Sequence, residues 1–98
     1  MSKFNKLVES HPLVLVDFYA DWCGPCKAMA PELVKLKNEL GDKVKIVKIN
    51  TEKHTSLSRE YSIRSIPTLI LFKDGKKVVQ QAGGMRLAQL KSLLSPHL

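Results

Sequence analysis

Leu13-Val14-Leu15-Val16-Asp17-Phe18-Tyr19, followed after two residues by Trp22-Cys23-Gly24-Pro25-Cys26, is the stretch whose reading decides the fold. The first segment is apolar at nearly every position and does not alternate, the pattern of a strand covered on both faces in a parallel sheet. The second segment opens a helix expected from about Pro25 to Leu40. Met29, Leu33, Leu36 and Leu40 recur there at helical spacing, Gly41 stops the helix, and Pro31 is expected to kink it. A buried strand running through a short turn into an amphipathic helix points to an α/β protein.

Outward from this unit the elements keep alternating. Phe4 to Glu9 reads as a short helix with Ser2 as its N-cap and His11-Pro12 ending it. Val44 to Ile49 reads as a second strand, and Thr55 to Tyr61 as a short helix that Thr55 can cap. Thr68 to Phe72, the Asp74-Gly75 turn and Val78 to Gln81 form a hairpin, so part of the sheet is antiparallel. Arg86 to Leu94 closes the chain as an amphipathic helix with Leu87, Leu90 and Leu94 along one side. Repeats, low-complexity tracts and long linkers are missing from this pattern.

Both cysteines of the chain, Cys23 and Cys26, lie in the quoted stretch. Bridging so small a loop removes little entropy from the unfolded chain, so stapling is a poor reason for the pair, and a bond that stabilises little is free to open and close. Cys23 sits where unpaired backbone N–H groups and the positive end of a helix dipole favour a thiolate, which makes it the attacking sulfur. Cys26, three residues on and on the same face, is the shielded resolving thiol. Gly24 lets a substrate backbone approach, Pro25 fits the first helical turn, and Lys27 adds positive charge that also favours the thiolate. A structural zinc site would need four ligands. His11, His54 and His97 do not form the short His pair that would complete one, and all three are read as surface histidines.

The 98 residues, 44% of them hydrophobic, suit one domain over 1–98 with a core that needs no staples. Neither a signal peptide nor an apolar stretch of bilayer-spanning length is apparent, and the expected address is a reducing cytoplasm with no membrane contact. Sixteen Lys and Arg against nine acids give a formal charge of +7. The lysines are scattered, among them Lys35, Lys37, Lys43, Lys53, Lys76 and Lys77, and the six aromatics fall mostly inside apolar runs. Nucleic-acid binding would ask for a basic stripe with stacking aromatics, so steering of acidic protein partners is the use this charge fits.

Asp17 stands inside the apolar strand, where an unpaired polar group costs about 2–7 kcal/mol and a charge more. Either it keeps its proton or a cation compensates, with Lys48 on the neighbouring strand a credible partner. Pro67 opens a strand, and its residues alone imply an ordinary trans bond.

A strand, then Trp22-Cys23-Gly24-Pro25-Cys26-Lys27 at a helix start, then Ile66-Pro67-Thr68 leading a hairpin resembles the thioredoxin family over nearly the whole chain. The resemblance implies a small cytosolic protein with a thioredoxin-like three-layer α/β/α sandwich. It further implies a monomeric protein disulfide reductase with no bound cofactor or metal, acting on disulfide-containing client proteins. Its Cys23–Cys26 disulfide would be recharged by thioredoxin reductase drawing on NADPH. On the same resemblance, Asp17 matches a buried acid that accepts the proton of Cys26, and Pro67 becomes a cis-proline exposing the backbone of Ile66 to an extended substrate strand. Trp22, Ile66, Pro67, Gly83 and Gly84 then form the apolar docking patch.

Departures from the family pattern are expected to matter. Too few residues precede Phe4 to build the family's first strand, so the mixed sheet should have about four strands. Ser65 stands where glycine is frequent, and Met85 borders the docking loop; either could tune partner choice. Gly-Pro between the cysteines resembles the reducing branch of the family, against the alternatives of a disulfide oxidase or isomerase and of a docking subunit without turnover.

Overall fold

The computed structural model of the chain describes residues 2–98. In chain order the elements are α1 (Lys3–Glu9), β1 (Leu13–Tyr19), α2 (Gly24–Leu40), β2 (Lys45–Asn50), α3 (Thr55–Glu60), β3 (Thr68–Lys73), β4 (Lys76–Ala82) and α4 (Leu87–Leu94). Short 3₁₀ turns cover Gly41–Lys43 and Ser95–His97, neither of which the sequence signalled. The four strands form one sheet in the order β2-β1-β3-β4. β1 pairs with β2 in parallel and with β3 antiparallel, and β3 pairs with β4 antiparallel. This is the expected mixed four-stranded sheet.

Strand parity sorts the core into two layers. Leu13 and Leu15 of β1 join Leu69 and Leu71 of β3 under Met29, Leu33 and Leu36 of α2 and Leu90 and Leu94 of α4. Val14, Val16 and Phe18 join Ile70 and Phe72 under Phe4 and Val8 of α1, with Leu57 of α3 packed against them. Helices on both faces make a three-layer α/β/α sandwich and explain why β1 carries no alternation: its first six residues are all buried. Asp17 shares the parity of Leu13 and Leu15, so it belongs to the face that α2 covers.

Several boundaries differ from expectation. β2 runs one residue later than Val44 to Ile49, because Val44 is spent as a fully buried residue of the core beneath α2. Thr55 is the first residue of α3 and not its cap; His54 occupies that place without a side-chain capping bond. β4 starts at Lys76, and the register jumps between Leu71 and Phe72, opposite Val79 and Lys77, leaving Val78 as an extra residue in the strand. The hairpin turn has Asp74 at φ 51° and Gly75 at φ 81°, both in the left-handed region, as a two-residue turn of mirror-image type needs. A Cβ at Gly75 would also meet Glu9 Cγ at 2.8 Å. α2 ends at Leu40 as expected, with Pro31 inside one continuous helix, and starts one residue earlier, at Gly24.

His11 is not a plain surface residue. It is half-buried, its Nδ1 accepts the Leu13 N–H at 3.0 Å, and its Nε2 lies 2.7 Å from the Asp42 carbonyl. That pattern specifies the neutral tautomer with hydrogen on Nε2. The ring ties the start of β1 to the turn after α2.

Candidate active site

Cys23 is the N-cap of α2, with extended backbone and a sulfur that accepts the Cys26 N–H at 3.2 Å. It therefore satisfies one of the donors that a helix start leaves open, in the position where negative charge on sulfur is stabilised. Pro25 falls in the first turn, where a missing N–H costs nothing, and Gly24 has open space around its Cα. Cys23 and Cys26 are joined in a disulfide with their Cα atoms 5.2 Å apart. The two are almost equally enclosed, 3% and 4% exposed. Unequal exposure, expected from the sequence, is thus corrected: in this oxidised state the asymmetry between the sulfurs comes from the helix-start N–H, because one helical turn is too short to separate their depths.

The cis peptide bond between Ile66 and Pro67 corrects the trans bond implied by those residues alone and agrees with the resemblance. Cys23 Sγ lies 3.7 Å from the Ile66 carbonyl oxygen, and Ile66 packs against the cysteine pair. Gly83 donates its N–H to the Pro67 carbonyl at 2.9 Å with φ at 100°, a conformation that suits glycine. Gly84 faces the motif, since a Cβ there would stand 3.8 Å from the Pro25 carbonyl oxygen. Trp22 is 67% exposed at the rim. The two loops and the motif, far apart in sequence, thus meet at one end of the sheet.

Asp17 is 1% exposed, and its Oδ1 has no hydrogen-bond partner among the described residues. Burial pushes its pKa up to about 6, with the nearby Lys48 charge pulling in the opposite direction. Lys48 stands opposite Asp17 in the β1–β2 register. The two form no ion pair within 4.0 Å among the described residues; the Lys48 ammonium instead lies 4.6 Å over the Tyr19 ring. Lys48, Lys27, Ala20 and Cys26 line one cleft of about 210 Å³. Ala20, three residues beyond Asp17, shares one buried cluster with the two cysteines.

Two features were invisible in the sequence. Met85, next to Gly84 and lining the same groove, is at the same time a buried member of the layer under α2 and α4. Glu32 of α2 accepts the Leu87 N–H at the start of α4 at 3.1 Å, a bond across 55 residues that no local pattern announces. Ser65 is exposed, and its carbonyl accepts the Thr68 hydroxyl at 2.6 Å.

The sequence profile described as thioredoxin matches residues 1–96. The chain is 44% identical over 94 residues to Thioredoxin 1 of Synechococcus elongatus, covering 96% of this chain and 88% of that protein. It is 49% identical over 90 residues to "Thioredoxin Y, chloroplastic" of Oryza sativa subsp. japonica, covering 91% of this chain and 54% of the rice protein, so it spans about half of that relative's length. Among solved structures, mitochondrial Thioredoxin 3 of Saccharomyces cerevisiae in its oxidized form superposes with a TM-score of 0.86 at 33% identity, over 95% of this chain and 87% of that one. A dithiol/disulfide pair at a helix start, within this fold and with these relatives, is a redox-active centre of the thiol–disulfide exchange type, and the chain belongs to the thioredoxin family.

Proposed function

We propose that the protein reduces disulfides in client proteins, with Cys23 as nucleophile, Cys26 as resolving thiol and Asp17 as the proton acceptor for Cys26. The Cys23 thiolate attacks one sulfur of the client disulfide, forming a mixed disulfide and releasing the other client sulfur as a thiolate. Cys26 then gives its proton to the Asp17 carboxylate and attacks Cys23 Sγ, which expels the second client thiolate. The client gains two electrons and, from solvent and Asp17, two protons; the chain is left with the Cys23–Cys26 disulfide. The observation that carries this reading is the Cys23 sulfur at the cap of α2, accepting the Cys26 N–H at 3.2 Å while bonded to the Cys26 sulfur.

Trp22, Ile66, Pro67, Gly83 and Gly84 form the docking face in this proposal, with the Ile66 backbone pairing an extended client segment. Gly24, Pro25 and Lys27 shape the start of α2, and Lys48 tunes Asp17. Recharging is assigned to thioredoxin reductase with NADPH as electron source, supported by membership of the family. A reducing compartment, the cytoplasm, is the proposed setting, supported by the use of both cysteines in one exchanging pair. A relative named as chloroplastic makes localisation of the tagged protein the test of that point.

Cys26→Ser tests the chemistry: incubated with an oxidised client it should accumulate a covalent mixed disulfide through Cys23, visible on a non-reducing gel and by intact mass, while Cys23→Ser should not. The unsubstituted protein should also reduce insulin with NADPH and thioredoxin reductase. Failure of Cys26→Ser to trap any client, with no turnover of insulin, rejects the reductase reading.

A further inference from the structure

A cavity of about 380 Å³ lies between α2 and the loop Gly83 to Arg86, with Pro25, Ala28, Gly84 and Met85 as apolar lining and Glu32 and Arg86 as its charged groups. It adjoins the cysteine motif, because Pro25 belongs to that motif and Gly84 faces the Pro25 carbonyl. Its two charges are not equivalent. Glu32 is already engaged: Oε2 accepts from the Lys35 ammonium at 3.0 Å and Oε1 from the Leu87 N–H at 3.1 Å. The exposed Arg86 has no ion-pair partner among the described residues. The cavity therefore offers apolar walls and a guanidinium whose charge reaches Glu32 but that forms no ion pair within 4.0 Å among the described residues, in a chain of formal charge +7.

We propose that this groove selects clients: it seats an apolar side chain of the segment next to the client's cystine, and Arg86 reads a carboxylate beside that side chain. The inference rests on the disulfide-reductase reading and names the class of client, an acidic-apolar cystine segment. Apolar walls stabilise a buried aliphatic group, and a planar guanidinium is suited to a carboxylate by its paired donors. The Glu32 carboxylate is paired with the Lys35 ammonium at 3.0 Å and also feels the Arg86 charge, so the three side chains together keep one net positive charge for a client carboxylate. A lysine at the same client position would face Arg86 with like charge.

The test uses two disulfide-bonded peptides with a leucine beside the cystine, differing only in whether the next residue is aspartate or lysine. The unsubstituted protein should favour the aspartate peptide in kcat/KM by about three- to fivefold, the size of one partly solvated ion pair, with the difference in KM. Arg86→Gln should bring the ratio to about one, and Arg86→Glu should invert it. Because each ratio is internal to one protein, partial loss of folded variant cancels, and a preference due only to overall charge would survive Arg86→Gln. Replacing the leucine by glycine in the aspartate peptide should raise KM. A ratio near one in the unsubstituted protein, the same ratio in all three proteins, or an unchanged KM for the glycine peptide overturns the proposal alone. No reduction of either peptide by the unsubstituted protein overturns the reductase reading beneath it.

Discussion

Asp17 shows how one side chain couples stability to chemistry. Its carboxyl titrates at about 6 in the folded protein against an ordinary 3.8, so between these values the unfolded chain sheds a proton that the folded chain keeps. Stability therefore falls as pH rises through that window and is level above it. The gap between 3.8 and about 6 is worth about 3 kcal/mol. Asp17→Asn should accordingly stabilise the protein at pH above about 6 by about 1–3 kcal/mol and change little below 3.8, read as urea midpoints at two pH values. An equal gain at both would show that ionisation of this carboxylate is not the cause. The same substitution should slow release of the mixed disulfide, since the proton of Cys26 loses its acceptor. Asp17 could be read from the sequence as a costly residue because its neighbours are apolar; its lack of a partner could not, because that depends on where the Lys48 ammonium turns.

Among the elements, α2 and α4 lie side by side over one layer of the core and are joined by Glu32 at the start of α4. The Lys35 ammonium first, and then the Leu87 N–H, hold the Glu32 carboxyl below the ordinary carboxylate value. A group held low in this way contributes stability above its unfolded value of 4.5, and that contribution is lost as pH falls through its folded pKa. Glu32→Gln should therefore lower the unfolding midpoint at neutral pH, and the two proteins should converge in acid; a constant gap down to acid pH would assign the effect to packing. Arg86 at the N-cap of α4 is a residue type with no acceptor to offer its own helix; Gln89 of the same helix accepts the Arg86 N–H at 2.9 Å, and Glu32 of α2 accepts the Leu87 N–H at 3.1 Å. The helix itself was legible from its leucines. The Glu32 bond at its start was not, because capping across the fold leaves no local signature.

At the scale of the molecule, both sheet edges carry lysines: Lys45 and Lys48 on β2, Lys76 and Lys77 on β4. Charges at open edges discourage pairing with further strands. The formal charge of +7 should also speed encounter with acidic clients. The kcat/KM for an acidic protein disulfide should fall by about tenfold on raising salt to about 0.5 M, where screening acts within a few ångströms, while that for a neutral low-molecular-weight disulfide stays level. Equal salt responses for the two substrates would remove steering from the account.

By itself the sequence determined the buried strand β1, the helix starting at the cysteines, the hairpin turn at Asp74-Gly75 and the pairing of Cys23 with Cys26, because each is carried by hydrophobic period, turn chemistry or close spacing within a few residues. The tertiary structure alone decided the cis bond before Pro67 on the residues' own terms, the burial of Met85, the bond of the His11 ring to the Asp42 carbonyl, and the meeting of Glu32 with Leu87. Those outcomes depend on which distant segments the sheet order brings together, and contacts across tens of residues have no periodicity for a sequence to display.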